Sequence, residues 1–298
     1  MSLSRRDVLR RTGTVMGALA AAGCATISTP PVRRPLGLAP ITVRKQLEAD
    51  YAGTLRQVAA MGYTHFGFPL AQMSAQMPAG PDPRDIATMV RDAGMEVGVV
   101  RYGFARPAVE QMELASRIGA SIVAYSAAPV FFRGGKLGST TRDAFDAWLP
   151  ELGELAALAR AAGLTLAYHN HWWDHLPLGG EAPLDIIARS YAPSEVAFEI
   201  DLAWAHLGGL MPLELIERLG PRVVSMHFKD VDPSRGDSMF DQLVAPGDGV
   251  LAYPDIVPQL DRLTNAVGYV EVDNPANELD AARRGARAIQ QARALPDG

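Results

Sequence analysis

The chain has 298 residues, 48% of them hydrophobic and 20% charged, with one cysteine and a formal net charge of −5. That balance excludes a chain disordered throughout and one with many membrane spans, and a lone cysteine excludes a disulfide framework or a Cys-x-x-Cys metal site. The acidic surplus leaves no electrostatic footprint for nucleic acid, so none is expected as a partner.

The chain opens with Ser4-Arg5-Arg6-Asp7-Val8-Leu9-Arg10 and an apolar run over residues 15–22. Paired arginines before a short, weakly hydrophobic stretch resemble a twin-arginine export signal, and the run is far shorter than the ~20 residues that span a bilayer. Ala21-Ala22-Gly23-Cys24 resembles a lipoprotein cleavage box, in which Cys24 would be lipidated and become the new N-terminus. An ordinary signal-peptidase region with a chance cysteine is the other reading. Residues 1–24 are therefore expected to be an address, 25–35 a linker, and 36–295 one catalytic domain in the periplasm. A lipid on Cys24 would be its one link to a membrane.

From residue 36 onward, short β-rich runs alternate with amphipathic stretches. Strands are predicted at 36–42, 65–68, 96–101, 121–125, 164–169, 196–201, 223–228 and 268–272. Helices are predicted at 50–61, 83–93, 107–118, 144–162, 184–190, 212–219 and 253–263. Gly62, Gly94, Gly119 and Gly163 stand where helices should end. Strict alternation implies a parallel sheet, and eight units imply closure into an α/β fold, the (β/α)8 TIM barrel, which holds about 250 residues in one domain. An open doubly wound sheet would call for a Gly-rich phosphate loop, and neither GxGxxG nor GxxxxGK[ST] occurs.

Four predicted strand ends carry polar residues two apart, hence on one face. They are His169/His171, Glu199/Asp201, His227/Lys229 and Glu271/Asp273. Catalytic groups of a barrel sit at these ends. From His169 to Asp201, His227 and Glu271 the steps are 32, 26 and 44 residues, the last holding an insertion over 231–251. Two imidazoles and two carboxylates on four strands could converge on one divalent cation, Mn²⁺ or Zn²⁺ first, with Co²⁺, Fe²⁺ or Mg²⁺ as further candidates. Read singly, each is an ordinary rim residue; only their joint occurrence points to metal.

Further pieces lie around these pairs: Thr42-Val43-Arg44, Gly53-Thr54-Leu55, Met61-Gly62-Tyr63, Tyr168-His169-Asn170-His171 and Ile200-Asp201-Leu202-Ala203-Trp204-Ala205. His227-Phe228-Lys229-Asp230, Pro246-Gly247-Asp248-Gly249 and Val270-Glu271-Val272-Asp273-Asn274 complete the set. In this order and spacing they resemble the xylose isomerase-like TIM-barrel family, labelled sugar phosphate isomerase/epimerase. The resemblance implies a single divalent metal held by Asp201, His227 and Glu271, with His169 where better-known members carry a glutamate. In those members two glutamates move protons on opposite faces of a ketose; here one is missing. Phe66-Gly67-Phe68 and Arg101-Tyr102 also depart from the common pattern, the latter standing where a strand-three histidine is frequent.

The expected chemistry is proton abstraction beside the carbonyl of a sugar or keto-sugar through a metal-stabilised enediolate. His171 is the candidate base, Lys229 the proton donor or oxyanion partner, and Glu271 the bridge between metal and substrate. Arg44, Trp172, Glu199 and Asp273 are candidate substrate contacts, and Phe131-Phe132-Arg133-Gly134-Gly135-Lys136 a candidate lid. Elimination from a 3-keto-glycoside is the alternative reaction, and a non-catalytic sugar- or metal-binding lipoprotein the alternative class. An abasic-site endonuclease, which shares the fold, is opposed by the acidic charge.

Overall fold

The strands form where β-branched and aromatic residues cluster, and several helices are bounded by side-chain caps or glycines. Asp50, Asp82 and Thr141 accept backbone N–H bonds from Gly53, Arg84 and Ala144 at three helix starts. Gly62, Gly94, Gly119 and Gly163 close helices with φ of 95°, 81°, 89° and 76°, a region that costs any residue with a Cβ. The computed structural model describes residues 34–69, 81–103, 106–132 and 135–294. The export signal, Cys24 and nearly all of the linker lie outside the described residues.

Eight parallel strands close into a barrel: β1 (Leu36–Leu38), β2 (His65–Pro69), β3 (Glu96–Arg101), β4 (Ile122–Tyr125), β5 (Thr165–His169), β6 (Val196–Asp201), β7 (Val223–Phe228) and β8 (Val267–Val270). β8 pairs with β1 to complete the ring. The (β/α)8 barrel expected from the sequence is the observed fold. The outward residues of the later strands, among them Tyr168, Phe198, Ile200, Met226, Phe228 and Val270, join the large core between sheet and helices. No described helix is long and apolar enough to cross a membrane.

Two strands stop short of their expected C-terminal ends. β1 stops at Leu38, and Pro40–Val43 turn into a 3-10 helix because Pro40 has no N–H to donate to a ladder. The Thr42 hydroxyl then accepts the Val272 N–H at 3.0 Å. β8 ends at Val270, so Glu271 lies one residue past the strand, although its N–H still reaches Phe228 O at 3.1 Å. Three α-helices were not anticipated: Arg44–Ala49, which continues from the 3-10 turn, and two more. Leu202–Leu207 follows β6 without a break, so its apolar run reads as more strand; Asp201 caps it by accepting the Trp204 N–H at 3.0 Å. The other, Glu278–Ala294, is charged enough to read as surface.

After β7 the inserted segment forms a two-stranded antiparallel ribbon, Asp230–Val231 against Leu243–Val244. The buried Asp230 carboxylate pins it, accepting N–H bonds from Val231, Leu251, Gly247 and Gly249 at 2.8–3.1 Å. Below the strand ends the inward positions are small, with Ala167, Ala197 and Ser225 on the face of His169, Glu199 and His227. Tyr269 lies among Val99, Ala124 and two glycines, Gly37 and Gly98. Its hydroxyl accepts the Val99 N–H at 3.2 Å, and an added Cβ would lie 2.2 Å from its ring at Gly37 and 2.4 Å from its oxygen at Gly98. Gly37→Ala is therefore expected to cost about 1–3 kcal/mol by overpacking in urea unfolding. In a Tyr269→Ala background that added cost should vanish; an additive double mutant would mean that the tyrosine is not what the glycine accommodates.

Candidate metal centre

The end of β5 works on both of its sides. Tyr168 and Asn170 point one way, His169 and His171 the other. The Tyr168 hydroxyl donates to Asp174 Oδ1 at 2.7 Å, and Asp174 Oδ2 accepts the His171 N–H at 2.8 Å, locking the turn that carries His171. Burial pushes the Asp174 carboxyl up to about 7 despite those bonds. Asn170 clamps the next strand: its Oδ1 accepts the Asp201 N–H at 2.8 Å and its Nδ2 donates to Asp201 O at 3.3 Å. Nδ2 also lies 2.9 Å from His175 Nε2, and burial pushes that imidazole down to about 4, so it stays neutral and can accept.

Inside the barrel mouth, Glu199 is wholly buried and fully used. It pairs with His169 Nδ1 at 3.0 Å, accepts from Ser225 Oγ at 2.7 Å, and ion-pairs with Arg101, which reaches in from β3 and also touches His227 Nε2. Burial disfavours the Glu199 carboxylate, but Arg101 and His227 outweigh it and hold its pKa well below the ordinary range. Expected as a substrate contact, Glu199 instead has both oxygens engaged by protein; it holds His169 and Arg101 in place.

Lys229 is also fully buried. Its Nζ donates to Glu271 Oε1 at 2.7 Å and lies 2.8 Å from Asp273 Oδ2 and 3.2 Å from Asp201 Oδ2. Burial opposes its charge, but Asp201, Asp273 and Glu271 together push its pKa well above the ordinary lysine value. His227 Nδ1 faces the same carboxylates, 3.2 Å from Glu271 Oε2 and 3.6 Å from Asp201 Oδ2. Here too burial is outweighed, by Glu271 and Glu199, and the imidazole pKa rises to about 9.

One ligand atom each from His169, Asp201 and His227 lies within 4.8 Å of the others, all on buried residues. Asp201 Oδ2 and His227 Nδ1 are sealed from solvent and make no aligned hydrogen bond. Buried polar atoms that lack aligned hydrogen bonds are costly, and one cation bound to both would satisfy them. Two imidazoles, one carboxylate and Glu271 beside them form a mixed nitrogen and oxygen donor set that fits a divalent transition metal.

His171 adjoins this group, its ring 5.1 Å from that of His169 and stacked on Trp173 at 4.5 Å and 10°. Burial, and then the charge of His169 and Lys229, push its pKa well below the ordinary value, so it is a neutral base. Trp172 lies one ring further out, against Trp173 and Trp204. Arg44 donates to Asp273 O at 3.3 Å and to Asn274 Oδ1 at 3.2 Å, so it braces the segment that carries Asp273. Of the candidate lid, Phe131 is buried against Trp173, Phe132 is exposed, and Arg133 and Gly134 lie outside the described residues. Arg101 and Asn170 were not foreseen as site residues. The available signal for Arg101 was its place at the end of a predicted strand.

Comparison with known proteins fits this geometry. The family model described as Xylose isomerase-like TIM barrel matches residues 55–292. A sugar phosphate isomerase/epimerase from Parabacteroides distasonis superposes with a TM-score of 0.70 at 18% identity, covering 89% of this chain and 97% of that one. A D-psicose 3-epimerase from Clostridium cellulolyticum H10, solved with D-tagatose, gives 0.64 at 14% identity over 87% and 98%. A probable 3-DHS dehydratase from Bacillus anthracis gives 0.65 at 14% over 86% and 98%. At these identities the likeness is one of fold. No curated protein matches the chain in sequence.

Because His227 is raised from 6.5 to about 9, its protonated form stabilises the metal-free fold below pH 6.5, and that contribution is lost as pH rises through about 9. Chelator-treated protein should lose roughly 3 kcal/mol across this window in urea unfolding, taking 1.36 kcal/mol per pKa unit. His227→Gln should flatten the loss. Equal stability of the wild type at both ends would show that His227 holds no such proton.

Proposed function

The chain belongs to the xylose isomerase-like TIM barrel family, and from that premise we propose that it is a divalent-metal-dependent enzyme that removes a proton beside the carbonyl of a sugar or keto-sugar. The observation that carries the reading is the convergence of buried His169, Asp201 and His227 ligand atoms within 4.8 Å, with Asp201 Oδ2 and His227 Nδ1 lacking an aligned hydrogen bond, beside a neutral His171. His169, Asp201, His227 and Glu271 would hold the metal, with Mn²⁺ or Zn²⁺ as the first candidates. Bound there, the ion would polarise the carbonyl and its neighbouring hydroxyl and so stabilise an enediolate.

The chain's own groups divide the remaining work. His171 Nδ1 is sealed from solvent, so Nε2 takes the proton from carbon, with the ring held flat by Trp173. Lys229 Nζ, kept charged by three carboxylates, returns a proton to oxygen or supports its negative charge. Glu271 joins the two sites, with one oxygen on Lys229 and the other beside His227 Nδ1.

A second reaction is favoured by His169, whose Nδ1 is committed to Glu199 and which replaces the glutamate of better-known relatives. One neutral base and one charged acid suit elimination from a 3-keto-glycoside. His171 takes the C2 proton, the electron pair forms the C1–C2 double bond, and the C1–oxygen bond breaks as Lys229 protonates the leaving group. We also assign residues 1–24 to twin-arginine export into the periplasm, with Cys24 lipidated. Cys24→Ser should move the protein from the membrane fraction to the soluble periplasmic fraction, and unchanged fractionation would overturn the anchor.

Elemental analysis of purified protein should find about one Mn or Zn per chain in the wild type and none in Asp201→Ala/His227→Ala. His171→Ala should keep its metal while turnover of keto-sugars falls about 10²–10⁴-fold. Loss of metal in His171→Ala would make His171 a ligand. No metal in the wild type, even after incubation with Mn²⁺, would leave a polar binding pocket and favour the non-catalytic reading.

A further inference from the structure

A band of aromatic rings runs from the metal centre to the surface, and the mechanism above uses only its inner end. His171 stacks on Trp173, whose ring touches Trp172 at 4.3 Å. Phe132, from the loop after β4, meets Trp173 edge-on at 5.8 Å. Phe240, from the ribbon insertion after β7, meets Trp172 edge-on at 5.8 Å and Trp204 at 5.5 Å. Trp173 and Trp204 are buried, Trp172 is half-buried, and the two phenylalanines are 55% and 47% exposed. Four βα segments thus supply one continuous apolar wall whose outer members face water.

We infer that this wall is a subsite for an aryl group attached to the sugar, so that the substrate class is an uncharged aryl glycoside rather than a sugar phosphate. The inference rests on the reading of the preceding subsection and names the substrate class of that site. A second sugar ring would bring hydroxyls that need partners, and the outer phenylalanines offer none. An aryl ring needs only area and edge-to-face contacts, which the phenylalanines and Trp172 supply. The route from the wall to the metal centre passes through His171, the proposed base, which places an aryl aglycone beside the bond that elimination would break. The site's charges agree: Arg101 is matched to Glu199, and Lys229 to Asp201, Glu271 and Asp273. The two permanent cations of the mouth are thus already committed to carboxylates, leaving neither for a phosphate.

Calorimetric titration with phenyl and methyl glycosides of glucose, galactose and xylose tests this. At least one phenyl glycoside should bind about tenfold tighter than its methyl counterpart. Phe132→Ala/Phe240→Ala should bring the phenyl glycoside down to the affinity of the methyl one. Both side chains are exposed enough for the variant to fold, and its metal content reports that independently. Equal affinities across the panel, no binding of any member, or a phenyl preference that survives the double substitution would each overturn the subsite. Aryl preference in protein that binds no metal would retain the subsite and overturn the proposed chemistry. Metal-dependent turnover without aryl preference would do the reverse.

Discussion

Buried charge balance governs the mouth of this barrel. Glu199, Asp201, Glu271 and Asp273 gather at the ends of two strands, and Arg101 and Lys229 oppose them with permanent charge. Isolated charges in such a place are costly, so their positions depend on one another. Lys229 draws three carboxylates together, and Arg101 crosses from the other side to neutralise the fourth. His227 stands between the two groups with its pKa raised, a proton occupying part of the position that a cation would take. The centre is thus built around a deficit of positive charge, which a divalent metal would remove without unfavourable excess.

Neutral groups set the precision of that arrangement. Asn170 hydrogen-bonds both the N–H and the C=O of Asp201, extending the pairing of β5 and β6 beyond the last backbone ladder bond. Asp174 fixes the turn bearing His171, and Tyr168 fixes Asp174. In the Tyr-His-Asn-His segment the inward histidines face the chemistry while the outward tyrosine and asparagine hold the backbone still. Supports of this kind orient a metal ligand as much as the ligand's own identity does.

Fold likeness carries less of the functional argument than these contacts. Solved structures with this architecture include epimerases and a probable dehydratase. A shared barrel therefore leaves the reaction to be decided by strand-end residues. In this chain the strand-five position is His169, tied to Glu199, and burial keeps the neighbouring His171 uncharged.

Eight strand positions, the helix-ending glycines and the four polar pairs were all legible in the linear sequence, since period-two alternation and local caps are properties of neighbouring residues. The truncation of β1 at Leu38 was local too, given Pro40, whereas the start of a helix directly at Asp201 was hidden by an apolar run that suits either state. What the chain order could not reveal is which charges meet. Arg101 and Glu199 are 98 residues apart, and Gly37 and Tyr269 are 232 apart. Only closure of β8 onto β1 brings such partners within contact. The sequence by itself determined the barrel and the candidate ligands; tertiary structure decided that Glu199 is spent on protein partners, that Arg101 belongs to the centre, and that Asp201 Oδ2 and His227 Nδ1 meet there without an aligned hydrogen bond. The reason is physical: side-chain periodicity is set by adjacent residues, but the desolvation and pairing of a charge are set by whatever the folded chain places around it.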